Sequence, residues 1–298
     1  MDMLRAMKIF VGIVDQGSLT AAARALEMSP TSVVRALAGL ERHLGIVLVQ
    51  RTTRRIRITE EGYRYLGNCR RILDLLAQSW LELASGSDEP AGKLTLTAST
   101  LFGRKFIVTI VNAALARYPG LRIELLLLDR VVNLVEEGVD IAVRIGTLTD
   151  SNLTAVRVGQ VRRVVCATPG YLKKHGRPQA PDDIRGHSTI RHVGLDPRPE
   201  WNFRTGNRQR AIAISPLLTT NQIDAALAAC ESGLGLGRFL SYQVAEARAR
   251  GRLAYVLEPF ELPPLPVHIL FLPAKPQSAR VRVLVDACVA GLRNARLD

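Results

Sequence analysis

The sequence predicts a multi-domain α/β protein: a small N-terminal unit of helices with one hairpin, a long connecting helix, and a larger two-lobed part. Three observations carry this. Apolar residues recur at helical spacing from Met3 to Leu44, an apolar seam steps by three and four residues from Leu66 to Leu83, and short apolar runs alternate with helical ones beyond Pro90. A chain of 298 residues suits about two domains of ~150 residues each. Its balance of 47% hydrophobic and 22% charged residues is that of a packed protein, not a disordered one.

Charge narrows the partners. Forty Lys and Arg against 27 Asp and Glu give a formal net charge of +13, which favours a polyanion such as nucleic acid or an anionic membrane surface. No stretch approaches a membrane span, and the apolar run Ile9 to Val14 is too short for a signal peptide, so a cytoplasmic protein without a membrane partner is expected. Cys69, Cys166, Cys230 and Cys288 lie far apart with no histidine cluster nearby, so neither a disulfide framework nor a metal site is expected.

The first helix takes its apolar side from Met3, Leu4, Met7, Phe10, Val11 and Val14 and ends at Gln16-Gly17. Ser18 caps a short alanine-rich second helix, and Glu27-Met28 makes a tight turn. Ser29-Pro30 starts a third helix, because a Ser oxygen accepts an orphan amide hydrogen bond and Pro is preformed for the first helical position. Val33, Ala36, Leu37, Leu40 and Leu44 bury one side of it, leaving Ser29, Pro30, Thr31, Ser32 and Arg35 for another surface. Two short helices joined by a tight turn, the second opening with hydroxyls and an Arg, match the helix-turn-helix geometry that meets base edges in a DNA groove. After Gly45, Ile46 to Val49 and Ile56 to Ile58 read as a hairpin whose tip holds Arg51, Thr52, Thr53, Arg54 and Arg55, a wing suited to phosphates. Of the nine Lys and Arg in the first sixty residues, four are Arg51, Arg54, Arg55 and Arg57.

These sixty residues resemble the LysR-type transcriptional regulators. The resemblance rests on Gly17-Ser18-Leu19-Thr20-Ala21-Ala22-Ala23, Leu26-Glu27, Leu44-Gly45, Arg51-Thr52-Thr53-Arg54-Arg55 and Ile58-Thr59-Glu60-Glu61-Gly62. Val34 departs from the usual serine beside the DNA-facing Arg35, and Val49 from the frequent phenylalanine. The resemblance implies a sequence-specific regulator that binds double-stranded promoter DNA as a dimer, often paired into tetramers, with RNA polymerase as a further partner.

Thr59 is placed to cap a connecting helix whose first turn holds Glu60 and Glu61. Leu66, Cys69, Leu73, Leu76, Trp80 and Leu83 form a heptad seam on it, expected to hold two copies together, though a helix packed on its own domain would show the same spacing. Ser85 to Pro90 closes the helix as a linker. The division expected is residues 1–59 for DNA, 60–88 for the linker and dimer, and 89–298 for an effector. Within the last, one lobe takes about 91–161 and 267–298 and the other about 162–266.

Beyond Pro90, strands are expected at Lys93–Ala98, Ile123–Leu128, Asp140–Ile145, from about Val161 to Ala167 and at Val267–Leu272. Helices are expected at about Phe102–Tyr118, Val131–Glu137, Gln222–Ser232 and from Ala279, on parallel sheets. Pro263, Pro264 and Pro266 suggest a crossing between lobes. Ligands in open α/β sheets sit at strand ends beside helix N-termini. This selects Ser99, Thr100, Arg144, Thr219, Thr220 and Asn221 for a small carboxylate, with Trp201 and Arg204 lining the second lobe. Helix capping would equally account for Ser99 and Asn221, an ion pair to Glu124 or Asp140 for Arg144, and core packing for Trp201. The resemblance continues through Arg117-Tyr118-Pro119, Leu134 to Gly146 and Thr168 to Leu172, and implies a periplasmic-binding-protein-like effector domain. In Gly233-Leu234-Gly235-Leu236-Gly237-Arg238-Phe239-Leu240-Ser241 the chain departs from the family's apolar residues and proline, and Arg238 brings a charge toward the expected cleft.

No nucleotide-binding glycine fingerprint, paired-histidine metal motif or nucleophile elbow is present, so no catalytic residue, metal or cofactor is expected. Two other readings stay open: a solute-binding protein or enzyme on the same two-lobed fold, and an architectural DNA binder that senses nothing.

Overall fold

The computed structural model describes residues 2–51, 56–85, 89–148, 152–194, 198–206, 208–273 and 278–297, without the side chains of Arg51, Asp74 and residues 77–85. Helix α1 (Met3–Gln16) ends on Gly17, whose φ of 64° is the left-handed conformation a helix C-terminus favours. Ser18 Oγ accepts the Ala21 amide to start α2 (Leu19–Ala25), and Ser29 Oγ accepts the Ser32 amide to start α3 (Pro30–Leu44). Strands β1 (Val49–Arg51) and β2 (Ile56–Ile58) pair antiparallel as the wing.

These elements close on one core of Phe10, Ile13, Ala22, Val33, Leu37, Leu40 and Leu48. The long helix α4 (Glu60–Ser85) enters it: Thr59 Oγ1 accepts the Gly62 amide and donates to the Val47 carbonyl, so one side chain both caps the helix and ties it to the wing. Gly62 is required there, because a Cβ would stand 2.3 Å from the Leu48 carbonyl oxygen.

Leu66 and Cys69 are 6% and 0% exposed and belong to this N-terminal core, with Leu73 packed against it. The first half of the predicted dimer seam is therefore an intramolecular contact. Heptad spacing on a helix does not say whether the partner surface is another copy or the chain's own α1 and α3. Ile72 and Leu75 are the exposed large apolar residues along this stretch. Leu76 is half-buried, while the side chains of Trp80 and Leu83 lie outside the described residues.

The rest of the chain forms two five-stranded sheets. Lobe I begins with β3 (Gly92–Ala98), a helix of three parts in α5 (Thr100–Phe102), a π-type segment Gly103–Ile107 and α6 (Val108–Arg117), then β4 (Leu121–Leu127), β5 (Ile141–Ile145) and β6 (Thr154–Val161). The chain then builds lobe II from β7 (Arg163–Ala167), α7 (Pro169–His175), β8 (Thr189–His192), a hairpin of β9 (Glu200–Thr205) and β10 (Arg208–Ala213), β11 (Pro216–Thr220), α8 (Ile223–Glu231), β12 (Leu236–Leu240), α9 (Ser241–Ala249) and β13 (Ala254–Val256). It returns to lobe I through Pro263, Pro264 and Pro266 into β14 (Leu265–Phe271) and α10 (Ala279–Asn294).

Strand order is β4-β3-β5-β14-β6 in lobe I and β11-β8-β12-β7-β13 in lobe II. The sheets are mixed rather than parallel. β14 runs antiparallel to β5 and β6, and β12 antiparallel to β7, because the chain leaves each sheet and re-enters it from the opposite direction. The expected helix at Val131–Glu137 is instead a turn: Asn133 Oδ1 accepts the amides of Val135 and Glu136, and Gly138 adopts φ 65°. Its apolar residues Val132, Leu134 and Val139 pack on Ala142 and Leu270.

Candidate DNA-binding surface and effector cavity

The N-terminal half of α3 presents a continuous polar surface. Ser29, Pro30, Thr31, Ser32 and Arg35 are all exposed, while Val33 and Leu37, on the other side, are buried. Ser29 Oγ lies 2.8 Å from Ser32 Oγ and 3.2 Å from Thr31 Oγ1, so the three hydroxyls form one small network at the positive end of the helix. Arg35 makes no ion pair with any described residue. Glu41, further along α3, accepts the amides of Leu48 and Val49 at 2.9 and 3.1 Å, which fixes the wing to the recognition helix. Of the wing tip, Arg51 is the last residue of β1, while Thr52, Thr53, Arg54 and Arg55 lie outside the described residues.

In the larger part, two of the predicted anion donors are already used by the chain. The Thr100 amide donates to Asp129 Oδ1 at 2.9 Å, so a carboxylate of the protein occupies the helix N-terminus. Ser99 stands beside Tyr242 of α9, whose hydroxyl accepts from Gln243 Nε2 and whose ring, 2% exposed, is wedged edge-on against Phe102 at 5.3 Å. Lys105 donates to the Tyr242 carbonyl and Arg104 pairs with Asp224, so the lobes are fastened on this side. Thr220 Oγ1 accepts the Gln222 amide, Thr219 and Asn221 are exposed at the sheet edge, and the Asn221 carbonyl accepts a hydrogen bond from His192. Arg144 points from β5 toward the Val132–Val139 turn. Burial lowers its pKa and Glu137 partly offsets this, and its Nη2 atom is buried without a hydrogen bond. Trp201 is wholly buried in the lobe II core with Phe203, Ile212 and Val256, a packing residue and not a lining one. Arg204 is exposed. By strand alternation it shares the face of Glu200 and Asn202.

Those two residues face a cavity of about 750 Å³ where the lobes meet. Lobe I contributes Thr147, the crossing segment contributes Leu262 to Pro266, and lobe II contributes Arg163, Arg198, Glu200, Asn202, Gln209 and Arg238. Neither Arg163 nor Arg238 was selected as a site by its sequence pattern. Arg163 begins β7 and Arg238 lies in β12, two strands that run side by side, so the sheet brings them to one wall. Arg238 is 6% exposed inside a strand that is otherwise apolar. It lies over the Trp201 ring at 5.7 Å and donates to the Asn202 carbonyl. Burial, together with the neighbouring Arg163, pushes its pKa down to about 9. Burial also lowers that of Arg163. The one signal in the sequence was the charge of Arg238 in an apolar strand.

The chain matches two family models: "Bacterial regulatory helix-turn-helix protein, lysR family" over residues 4–63 and "LysR substrate binding domain" over residues 87–293. Fold and surface thus define a transcription regulator with a DNA-reading head and an effector-binding body. The chain belongs to the LysR family of transcriptional regulators. It is 32% identical over 287 residues to the HTH-type transcriptional regulator DmlR of Escherichia coli K12, covering 96% of this chain and 93% of that protein. Among solved structures it resembles CrgA, a LysR-type transcriptional regulator from Neisseria meningitidis, with 30% identity, a TM-score of 0.62, and coverage of 97% of this chain and 99% of CrgA. The full-length regulator LysG of Corynebacterium glutamicum with bound effector Arg shares the fold, at a TM-score of 0.65 and 23% identity, covering 97% of this chain and 99% of LysG. Among the described residues no helix is long and apolar enough to cross a membrane, and no group of His, Cys, Asp or Glu is arranged to hold a metal ion.

Proposed function

We propose that this regulator reads promoter DNA in the cytoplasm through Thr31, Ser32 and Arg35 of α3, and answers to an anionic effector held in the cavity between its lobes. The observation that carries the reading is the exposed Arg35, ion-paired with none of the described residues, beside a hydroxyl cluster at the start of a helix whose other side is buried. Arg at that position can donate bidentately to guanine, whereas Ser29 and Pro30 orient the helix and Arg51 to Arg55 of the wing contact phosphates. Residues 1–59 act as the head, 60–88 as the linker and 89–298 as the effector-binding body. Two copies pair through the distal part of α4, where Leu76, Trp80 and Leu83 continue the seam beyond the part used by the N-terminal core. Pairs of dimers and contact with RNA polymerase fit the same reading, and regulation needs no catalysis by the chain itself. Arg144, Arg204, Thr219, Thr220 and Asn221 border the interlobe region; Ser99 stands beside Tyr242 of α9, and the Thr100 amide is held by Asp129 within lobe I.

Footprinting on DNA upstream of the gene and its neighbours supplies the operator. Arg35→Ala should then weaken operator binding by about 1–3 kcal/mol while leaving random duplex nearly unaffected, as measured by fluorescence anisotropy at fixed salt. Equal losses on both DNAs would remove Arg35 from base reading.

A further inference from the structure

We propose that Arg144, His268 and Arg157, abreast on the outer face of the lobe I sheet, form a binding site for the phosphate group of a small molecule. The site does not depend on the effector reading, since none of its three residues lines the interlobe cavity.

Strand register makes the site. His268 of β14 lies opposite Arg144 of β5 on one side and opposite Arg157 of β6 on the other. The next row along the same face is Ala142, Leu270 and Ala155, of which Ala142 and Leu270 pack under the Val132–Val139 turn. Val143, Ile269 and Val156 alternate to the other face and join the core shared with α6 and α10. Two guanidinium groups and an imidazole from three adjacent strands thus stand in one line, on the face opposite those helices and beside the apolar patch.

The chain supplies this row with no anion of its own. Arg144 makes no hydrogen bond or ion pair through its side chain with any described residue, and its Nη2 is buried without a partner. Glu137, the carboxylate whose field reaches Arg144, is already held by both Nη atoms of Arg130, at 2.8 and 2.5 Å, and by the Asn133 amide at 3.2 Å. His268 Nδ1 is likewise buried without a hydrogen bond, and burial, together with Arg157, lowers its pKa. Arg157 donates to Gln160 at 2.8 Å and has no other side-chain partner among the described residues. Donors taken out of water and left unmet are costly until an acceptor arrives. Arg144 and His268 are only half-buried, so an acceptor can reach them from the side of the exposed Arg157.

The number of donors selects the acceptor. Neighbouring strands lie ~4.8 Å apart, so the two arginines leave the sheet ~10 Å from each other and can meet over His268, whose neutral ring donates one N–H. A carboxylate has two oxygens, which a single guanidinium fork fills. A phosphate group has three, one for the side chain of each strand.

Titration calorimetry on the full-length protein in Tris chloride tests this with inorganic phosphate and glycerol phosphate, against acetate and benzoate as carboxylates. At least one phosphate probe should bind tenfold or more tightly than either carboxylate, and the tighter of the two tells a free ion from a monoester. Arg144→Gln, His268→Asn and Arg157→Gln should each weaken that probe tenfold or more. Arg157 is exposed, so its substitution keeps the test valid even if the Arg144 variant fails to fold. No binding of either phosphate probe, a carboxylate that binds as tightly, or phosphate binding unchanged in Arg157→Gln and His268→Asn overturns the proposal. A loss confined to Arg163→Gln or to Arg35→Ala overturns it too, because the ion then sits in the cavity or on the DNA-reading surface; the effector reading is untouched by any of these results.

Discussion

Arginine serves both ends of this molecule under opposite conditions. On α3, Arg35 stands in solvent on a surface whose neighbours are hydroxyls, ready for a large polyanion that approaches from outside. In lobe II, Arg238 lies within a buried strand over Trp201, where burial and Arg163 work against its charge. An exposed arginine costs the fold little and gains its partner by long-range attraction, which salt screens. A buried one is expensive to hold and strongly discriminating, because a wrong partner leaves the charge unmet. DNA binding by the head should therefore fall steeply with salt, while ligand binding in the cavity should change much less.

The largest effect that could break this contrast is in the support beneath Arg238. Trp201→Ala removes a wholly buried indole and should cost about 3–5 kcal/mol in urea unfolding of the effector-binding body. A loss below 1 kcal/mol would mean that Trp201 is not the core residue described. On the DNA side, Glu41→Gln weakens the charged acceptor for the Leu48 and Val49 amides and should cost about 1–3 kcal/mol. Because that contact places the wing, the number of phosphate contacts read from the salt slope of DNA binding should fall with it. An unchanged slope would show that the wing holds its position without Glu41.

Smaller effects test the histidines of the effector-binding body through pH. Burial lowers the pKa of His187, His192 and His268 below the usual 6.5. The unfolded chain then binds protons first, so stability is complete above about pH 6.5 and declines as pH falls toward the folded pKa values. His192 is the most buried of the three, with Asp129 of lobe I among the charges acting on it. His192→Gln should flatten the decline in the urea midpoint between pH 7.5 and pH 5.5, a window set by the unperturbed value. An equally steep decline would assign the effect to the other two. The smallest change is Ser29→Ala, which loses the α3 cap and should cost about 1 kcal/mol in thermal unfolding, with operator affinity falling further than stability accounts for.

The head was readable because its signals are local. Ser18 and Ser29 cap the starts of α2 and α3, α1 and α3 end on Gly17 and Gly45, and the apolar spacing within α3 alone separates the buried side from the DNA side. The body was less readable because its decisive contacts join distant positions. Asp129 fills the Thr100 amide from twenty-nine residues away, and nothing near Thr100 announces it. Leu66 and Cys69 follow a heptad rule that an intramolecular core satisfies as well as a dimer does. The β9–β10 hairpin was missed although Gly206 marks its turn, since Arg208-Gln209-Arg210 lacks the apolar alternation of a half-buried strand. Arg163 and Arg238 became a pair through antiparallel register, which single-strand patterns do not encode.

Gly67 of α4 has a mechanical consequence. A Cβ there would stand 2.7 Å from the Glu136 carbonyl and 2.8 Å from that of Val135, so the helix rests directly on the backbone of the turn that the Arg130–Glu137 pair braces. That turn covers β5 of lobe I, and the bare glycine acts as a fulcrum. Eighteen residues separate it from Ser85. At ~1.5 Å of rise per residue that arm is about 27 Å long, and a tilt of about 5° at the glycine would swing its far end by about 2 Å. A displacement in lobe I too small to alter its own packing would thus be magnified along α4 toward Ser85, the end remote from the DNA-reading head.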